Sequence, residues 1–168
     1  MEETIREAAP PRVELRKVAP GDDELLLDVY ASSRADEMAL VDWDDATKRA
    51  FLRSQLTAQR ADYEGRFPTA DYQIILVDGE PAGRLWVART DEQIRLLDIA
   101  LLPQFQNRGV GKFLLGRLIE ESAREGLPLR HMVFQFNVNA LRFYERLGFA
   151  ARGEMGAYIE MERAHATD

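Results

Sequence analysis

Hydrophobic and polar positions change period several times along the chain, and each change marks an element. Residues 13–18 alternate, with Val13 and Leu15 set against Glu14 and Arg16, which predicts a half-buried strand. Pro20, Gly21 and Asp22 form a turn and cap. After them Leu25, Leu26, Val29 and Tyr30 line one side of a predicted helix that fades over residues 32–36. Asp44 is placed to cap a second helix over residues 45–63, with Phe51, Leu52 and Leu56 on its apolar side. Residues 72–77 and 82–88 read as strands joined by the hairpin signal Asp78-Gly79. A short turn at residues 90–93 leads to residues 96–102, which are apolar except for Asp98, the pattern of a central strand buried on both faces. Pro103 ends that strand because proline cannot donate to a ladder.

Beyond it, Val110, Leu114 and Leu118 recur at helical spacing, and Gly126 is a C-cap. Residues 129–136 form the fifth predicted strand. Asn137 caps a short helix over residues 138–147, closed by Gly148. Residues 149–152 and 157–161 make a final hairpin around residues 154–156. The order is β-α-α-β-β-β-α-β-α-β-β in one domain over residues 13–163. A loose arm over residues 1–12 precedes it, and a mobile tail over residues 164–168 follows.

The passage from strand to helix across residues 96–117 carries chemistry. The first amides of a helix have no partner within it, and the helix dipole adds positive charge there, so a loop of bare backbone at a helix start holds phosphate oxygens. Gly109 and Gly111 remove side chains that would keep an anion away. Between Gln104 and Leu118 the charged residues are Arg108, Lys112 and Arg117, in a chain whose net charge is −7. Two common phosphate loops fail here. A Walker loop needs glycine at Gln106 and a hydroxyl residue at Phe113, and a dinucleotide fingerprint needs glycine at Leu114.

Composition narrows the function further. With 168 residues, 46% of them hydrophobic, the chain reads as one domain able to bury a real core. The acidic balance argues against nonspecific binding to nucleic acid or an anionic membrane. Having no cysteine, the chain forms no disulfide, thiolate nucleophile or Cys-ligated metal site, and no other metal site is read. The first eleven residues, charged and without an apolar run, do not form a signal peptide, and a cytoplasmic protein is expected.

After a strand ending in proline, the pattern Gln106-x-x-Gly109-x-Gly111 resembles the acyl-CoA pyrophosphate loop of the GNAT superfamily of N-acetyltransferases. A second segment agrees. Residues 137–149 match N-x-x-A-x-x-F-Y-x-x-x-G-F, with Asn137, Ala140, Phe143, Tyr144, Gly148 and Phe149 at every specified position, similar to that superfamily's segment from fifth strand to helix. The resemblance covers nearly the whole chain. It implies an α/β (α+β) fold, a mixed, mostly antiparallel sheet of about seven strands with four helices, splayed between strands four and five.

It also implies an acetyl-CoA co-substrate. The main chain of Ile99, Ala100 and Leu101 would pair with pantetheine. The loop Gln106, Asn107, Arg108, Gly109, Val110, Gly111 and Lys112 would take the pyrophosphate, and Asn137 and Phe143 would add contacts. Asn137 is equally an N-cap. Tyr144 matches the superfamily's general acid, which protonates the departing thiolate; a packed tyrosine explains it as well. The fifth predicted strand has no carboxylate, so Asp98 is the base candidate, or else the structural partner of a nearby donor. His131 reads as a satisfied strand histidine. For the acceptor, residues 21–50 hold nine acids against three bases. Glu37 and Asp42 would draw in a cationic amine, and Trp43, Phe67 or Trp86 would form an apolar wall; an ordinary solvated acidic face is the alternative. The expected activity is transfer of acetyl to a small-molecule or peptide amine, with a homodimer left open. The alternative function is a noncatalytic CoA-binding or interaction protein of the same fold.

Overall fold

A computed structural model describes residues 9–164. Seven strands form one sheet: β1 (Val13–Lys17), β2 (Asp71–Val77), β3 (Glu80–Arg89), β4 (Ile94–Leu101), β5 (Leu129–Phe134), β6 (Ala150–Met155) and β7 (Tyr158–Arg163). Their spatial order is β1-β2-β3-β4-β5-β7-β6, and β4 with β5 is the parallel pair. The helices are α1 (Asp23–Ser33), α2 (Ala35–Met38), α3 (Asp45–Arg66), α4 (Val110–Glu125) and α5 (Val138–Arg146). Five helices thus stand where four were expected. The backbone of Arg34 leaves helical geometry at ψ 8°, and the chain then makes the separate turn α2. No helix among the described residues is long and apolar enough to cross a membrane.

Each face of the sheet is covered because each helix has one apolar stripe. Val110, Leu114, Leu115 and Leu118 of α4 are buried against Ile75, Leu85, Val87, Leu96 and Leu129, and α5 joins the same cluster through Tyr144. Burying one such aliphatic side chain stabilises by roughly 1.5–3 kcal/mol. On the opposite face Leu27 and Tyr30 of α1 pack with Leu52 of α3, while Tyr63 of α3 and Phe67 just after it cover Trp86 and Leu97. Central β3 is therefore buried from Ala82 to Ala88.

Asp78 and Gly79 form the expected turn, and the Asp78 carboxylate accepts the Arg12 amide at 2.9 Å. Asp44 and Asn137 cap α3 and α5 through Thr47 and Ala140. Boundaries differ where tertiary bonds extend or end an element. α3 runs to Arg66, β4 starts at Ile94, whose amide bonds to Pro128, and β5 stops at Phe134. The last hairpin is longer than its turn signal implied, leaving residues 156–157 between β6 and β7. Most of the predicted arm and tail lies outside the described residues.

Two register features open the sheet. β3 and β4 slip between Trp86 and Val87, which leaves Leu97 unpaired as a bulge. The β4–β5 ladder has three rungs, Ile94 with Leu129, Arg95 with Arg130 and Leu96 with His131, and ends beside that bulge. A bulge bends its strand and raises local twist, so β4 swings away while β5 stays paired with β7 as far as Phe134.

Candidate active site

The gap between β4 and β5 exposes a strand edge. Leu102 donates to Ala82, and hydrogen-bonded pairs alternate along an antiparallel ladder, so the peptide groups of Ala100 and Asp98 face β3. Those of Ile99 and Leu101 face the gap, while the carbonyl of the bulged Leu97 accepts from the Tyr63 hydroxyl at 3.3 Å. The expectation that three consecutive residues offer main chain therefore needs correcting for Ala100, whose peptide group is taken by β3. Gly83 keeps the two strands close at this point, since a Cβ there would lie 2.1 Å from the Ala100 oxygen.

At the end of β4, a turn over Pro103–Phe105 buries the Phe105 ring and brings the chain round to α4. Asn107 and Gly109 take left-handed φ values of 58° and 80°, which turn the loop sharply into the helix. Gly109 is the N-cap, supplies no side chain, and accepts the first helical bond from Phe113. The amides of Val110, Gly111 and Lys112 have no partner within the helix and no side-chain cap. Arg108 lies over the Phe105 ring at 5.8 Å, 3.6 Å from Asp78. Gln106 folds back and donates to the Leu101 carbonyl at 2.9 Å, so it links the loop to the strand end instead of reaching outward. A cleft of about 280 Å³ follows, lined by Ile99, Ala100, Leu101, Gln106, Gly111 and Phe143 together with Ser33 and Leu115.

The ring of Tyr144 is 5% exposed. It packs against His131, Phe143 and Phe149 at centroid distances of 4.9, 5.4 and 5.4 Å. Its hydroxyl has no hydrogen-bond partner among the described residues. Burial pushes its pKa upward, reinforced by the charge of Asp98, so it is protonated at any ordinary pH. His131 bonds through Nδ1 to the Leu96 oxygen at 2.9 Å, on the last rung before the strands part. A carbonyl only accepts, so Nδ1 carries the proton. Burial lowers the His131 pKa and keeps the ring neutral.

Asp98 has its side chain on the α1/α3 face. Its Oδ2 lies 2.6 Å from Nε of Arg84, an ion pair whose angle is outside that of a hydrogen bond. Arg84 was missed by sequence reasoning, although a charge within the apolar run of residues 82–88 mirrors Asp98 within its own run. On the same face, a second cavity of about 290 Å³ is walled by Tyr63, Phe67, Leu97, Met132, Met155 and Tyr158 and edged by Asp62, Arg66 and Arg95.

Of the residues expected to meet an acceptor, Phe67 lines this cavity. Trp86 does not, because it is core, stacked on Tyr72 at 4.0 Å and edge-on to Tyr63. Trp43 packs on Phe51 away from the lining, and Glu37 is paired with Arg34 at 3.1 Å. Asp42 is exposed on the loop before α3. Much of the acidic segment is similarly engaged, Glu24 by Arg49 and Arg53, Asp28 by Arg49, and Asp22 by Arg16.

Comparison with known proteins adds independent findings. The model of the acetyltransferase (GNAT) family matches residues 34–149. An uncharacterized N-acetyltransferase of Methanocaldococcus jannaschii is 28% identical over 93 residues, covering 51% of this chain and 41% of that protein. The [ribosomal protein bS18]-alanine N-acetyltransferase of Haemophilus influenzae is 34% identical over 58 residues, covering 34% of this chain and 40% of that protein. The matches thus span about two fifths of the length of these curated relatives. Among solved structures, PaiA N-acetyltransferase from Thermoplasma acidophilum, in complex with coenzyme A, shares the fold. Its TM-score is 0.68 at 19% identity, over 92% of this chain and 99% of that one.

Proposed function

The chain belongs to the acetyltransferase (GNAT) family, and from that premise we propose that it moves an acetyl group from acetyl-CoA to a primary amine. One observation carries the reading: Gly111 at the uncapped start of α4 and the freed edge of Ile99 and Leu101 line one cleft, while Tyr144 packs on His131 at the last rung before the strands part. The residues present fit the co-substrate. Val110, Gly111 and Lys112 aim amides outward, a Cβ at Gly111 would meet nothing within 4 Å, and Arg108 and Lys112 supply charge for the phosphates. The main chain of Ile99 and the Leu101 amide suit the pantetheine amides, Phe143 lines the same cleft, and Asn137 would add a contact beside its capping bond to Ala140.

Acetyl-CoA brings a thioester carbonyl, and the protein's residues do the rest. The gap-facing amides of β4 stabilise the oxyanion formed when the amine nitrogen bonds to the acetyl carbon. As the carbon–sulfur bond breaks, Tyr144 gives its proton to sulfur, and Asp98 takes the proton leaving nitrogen. The products are an amide and a free thiol, and solvent returns the proton from Asp98 to Tyr144. The acceptor approaches through the cavity beside α3. Its aromatic and methionine walls suit an amine carrying an apolar group, whether a small molecule or a peptide. Glu37, Asp42 and Trp43 lie outside that lining and contribute a long-range field rather than contact.

The test pairs binding with turnover. Ligand at a hundred times its dissociation constant adds about 2.7 kcal/mol, so acetyl-CoA raises Tm by about 5–10 °C in a domain of this size. Gly111→Asp, which has room for its side chain, abolishes that rise. A panel of alkyl, aromatic and peptide amines then gives free thiol with at least one member. A thermal shift without turnover on any amine leaves the noncatalytic CoA-binding reading. An unshifted parent, or a folded Gly111→Asp variant that shifts like the parent, overturns the loop assignment.

A further inference from the structure

Resting on the reading of Asp98 as acceptor of the amine proton, we propose that Arg84 is its positioning residue, fixing the direction in which Asp98 presents its free oxygen to the incoming amine. Arg84 is 2% exposed on β3, and each part of its guanidinium is held by a different element. Nη1 donates to the Tyr72 hydroxyl of β2 at 3.2 Å, and Nη2 donates to Oε1 of Gln59 on α3 at 3.0 Å. The plane lies 5.6 Å from the Tyr30 ring of α1, and Nε meets Asp98 of β4 at 2.6 Å. A planar fork pinned at several points has one orientation, which a lysine ammonium could not reproduce.

The carboxylate is held unevenly. Its Oδ2 is buried against Arg84, yet the side chain keeps 26% exposure, so the accessible oxygen is the other one. Tyr63 of α3, Tyr144 of α5 and His131 of β5 also lie within its field, and burial keeps the two phenols protonated and the imidazole neutral. Among the described residues Arg84 is the cation in ion-pair contact with Asp98. The bulge at Leu97 places Asp98 immediately past the last β4–β5 rung. Gln59, which holds Arg84, also lines the cavity beside α3, so the pinned network reaches the acceptor's path. A buried cation on four supports, ending on a half-open carboxylate at the strand gap, has the form of an aiming device.

The experiment compares Asp98→Asn, Arg84→Lys, Arg84→Met and the double variant Arg84→Met/Asp98→Asn, reading kcat with the preferred amine, KM for acetyl-CoA and the acetyl-CoA thermal shift. Misplacing a catalytic group by about 1 Å costs about 10²-fold, so both Arg84 variants lose kcat on that scale while KM for acetyl-CoA and the thermal shift hold. Adding Arg84→Met to Asp98→Asn then costs nothing more, since groups acting as a unit are not additive. The double variant buries no lone charge and is expected to fold even where Arg84→Met does not, and Arg84→Lys supplies the single-site comparison in that event. Full kcat in the Arg84 variants, or an equal further loss on the Asp98→Asn background, overturns the proposal. Full kcat in Asp98→Asn alone fails the underlying role of Asp98 instead.

Discussion

Replacing Tyr144 by phenylalanine removes one oxygen from a site where it bonds to nothing among the described residues. No donor or acceptor is orphaned, so the penalty of about 1–3 kcal/mol for a broken buried pair does not arise. The ring contacts with His131, Phe143 and Phe149 remain. Tm should therefore move by no more than about 2 °C, on a scale of about 2–4 °C per kcal/mol. The kinetic cost is of another order. Loss of a general acid slows chemistry by about 10² to 10⁴, equivalent to about 2.7–5.4 kcal/mol of barrier. Single-turnover release of thiol at saturating acetyl-CoA and amine isolates that step, and acetyl-CoA affinity should be unchanged. An unaltered single-turnover rate near pH 7 would refute the role and leave Tyr144 a packing residue.

Two further outcomes follow from burial and from close approach. His131 has its pKa lowered by burial, so below about pH 6.5 the unfolded chain binds the proton more readily than the folded one. Stability is thus lost as pH falls through that window, and Tm scans between about pH 5 and 8 should show less acid sensitivity in His131→Gln than in the parent. Gly83→Ala sets a Cβ 2.1 Å from the Ala100 oxygen, forcing β3 from β4. Overpacking of this kind costs about 1–3 kcal/mol, a Tm drop of about 2–12 °C, and acetyl-CoA affinity should fall with it because the same displacement moves the strand edge; equal Tm and affinity would show that the strands yield freely.

Much of the architecture was legible because it depends on neighbours in sequence. Alternation over residues 13–18, the cap at Asp44, the turn at Asp78-Gly79 and the glycine loop after Pro103 are short-range signals, and they appear as β1, α3, the β2–β3 hairpin and the start of α4. The spacing of Asn137, Phe143, Tyr144 and Gly148 was equally plain, and with the loop it pointed to the family. Which strands part was implied only by the resemblance, because a bulge at Leu97 depends on register between strands.

Other features were decided by which faces meet. Asp98 announced itself as a charge in an apolar strand, but its partner Arg84 lies fourteen positions earlier, and their contact exists because the hairpin lays β3 beside β4. Trp86 read as a possible wall of the site and became core because Tyr63 of α3 and Phe67 at its C-terminal end cover that face. The acidic run after Gly21 looked like a field for cations, yet Arg49 and Arg53 of α3 engage Glu24 and Asp28 of α1 once the two helices pack. Local propensity, capping and turn chemistry act within a few residues, so sequence alone determines the elements and their order. The net charge of a surface, the partner of a buried ion and the place where a sheet opens are sums over elements distant in sequence, and those only the tertiary structure decides.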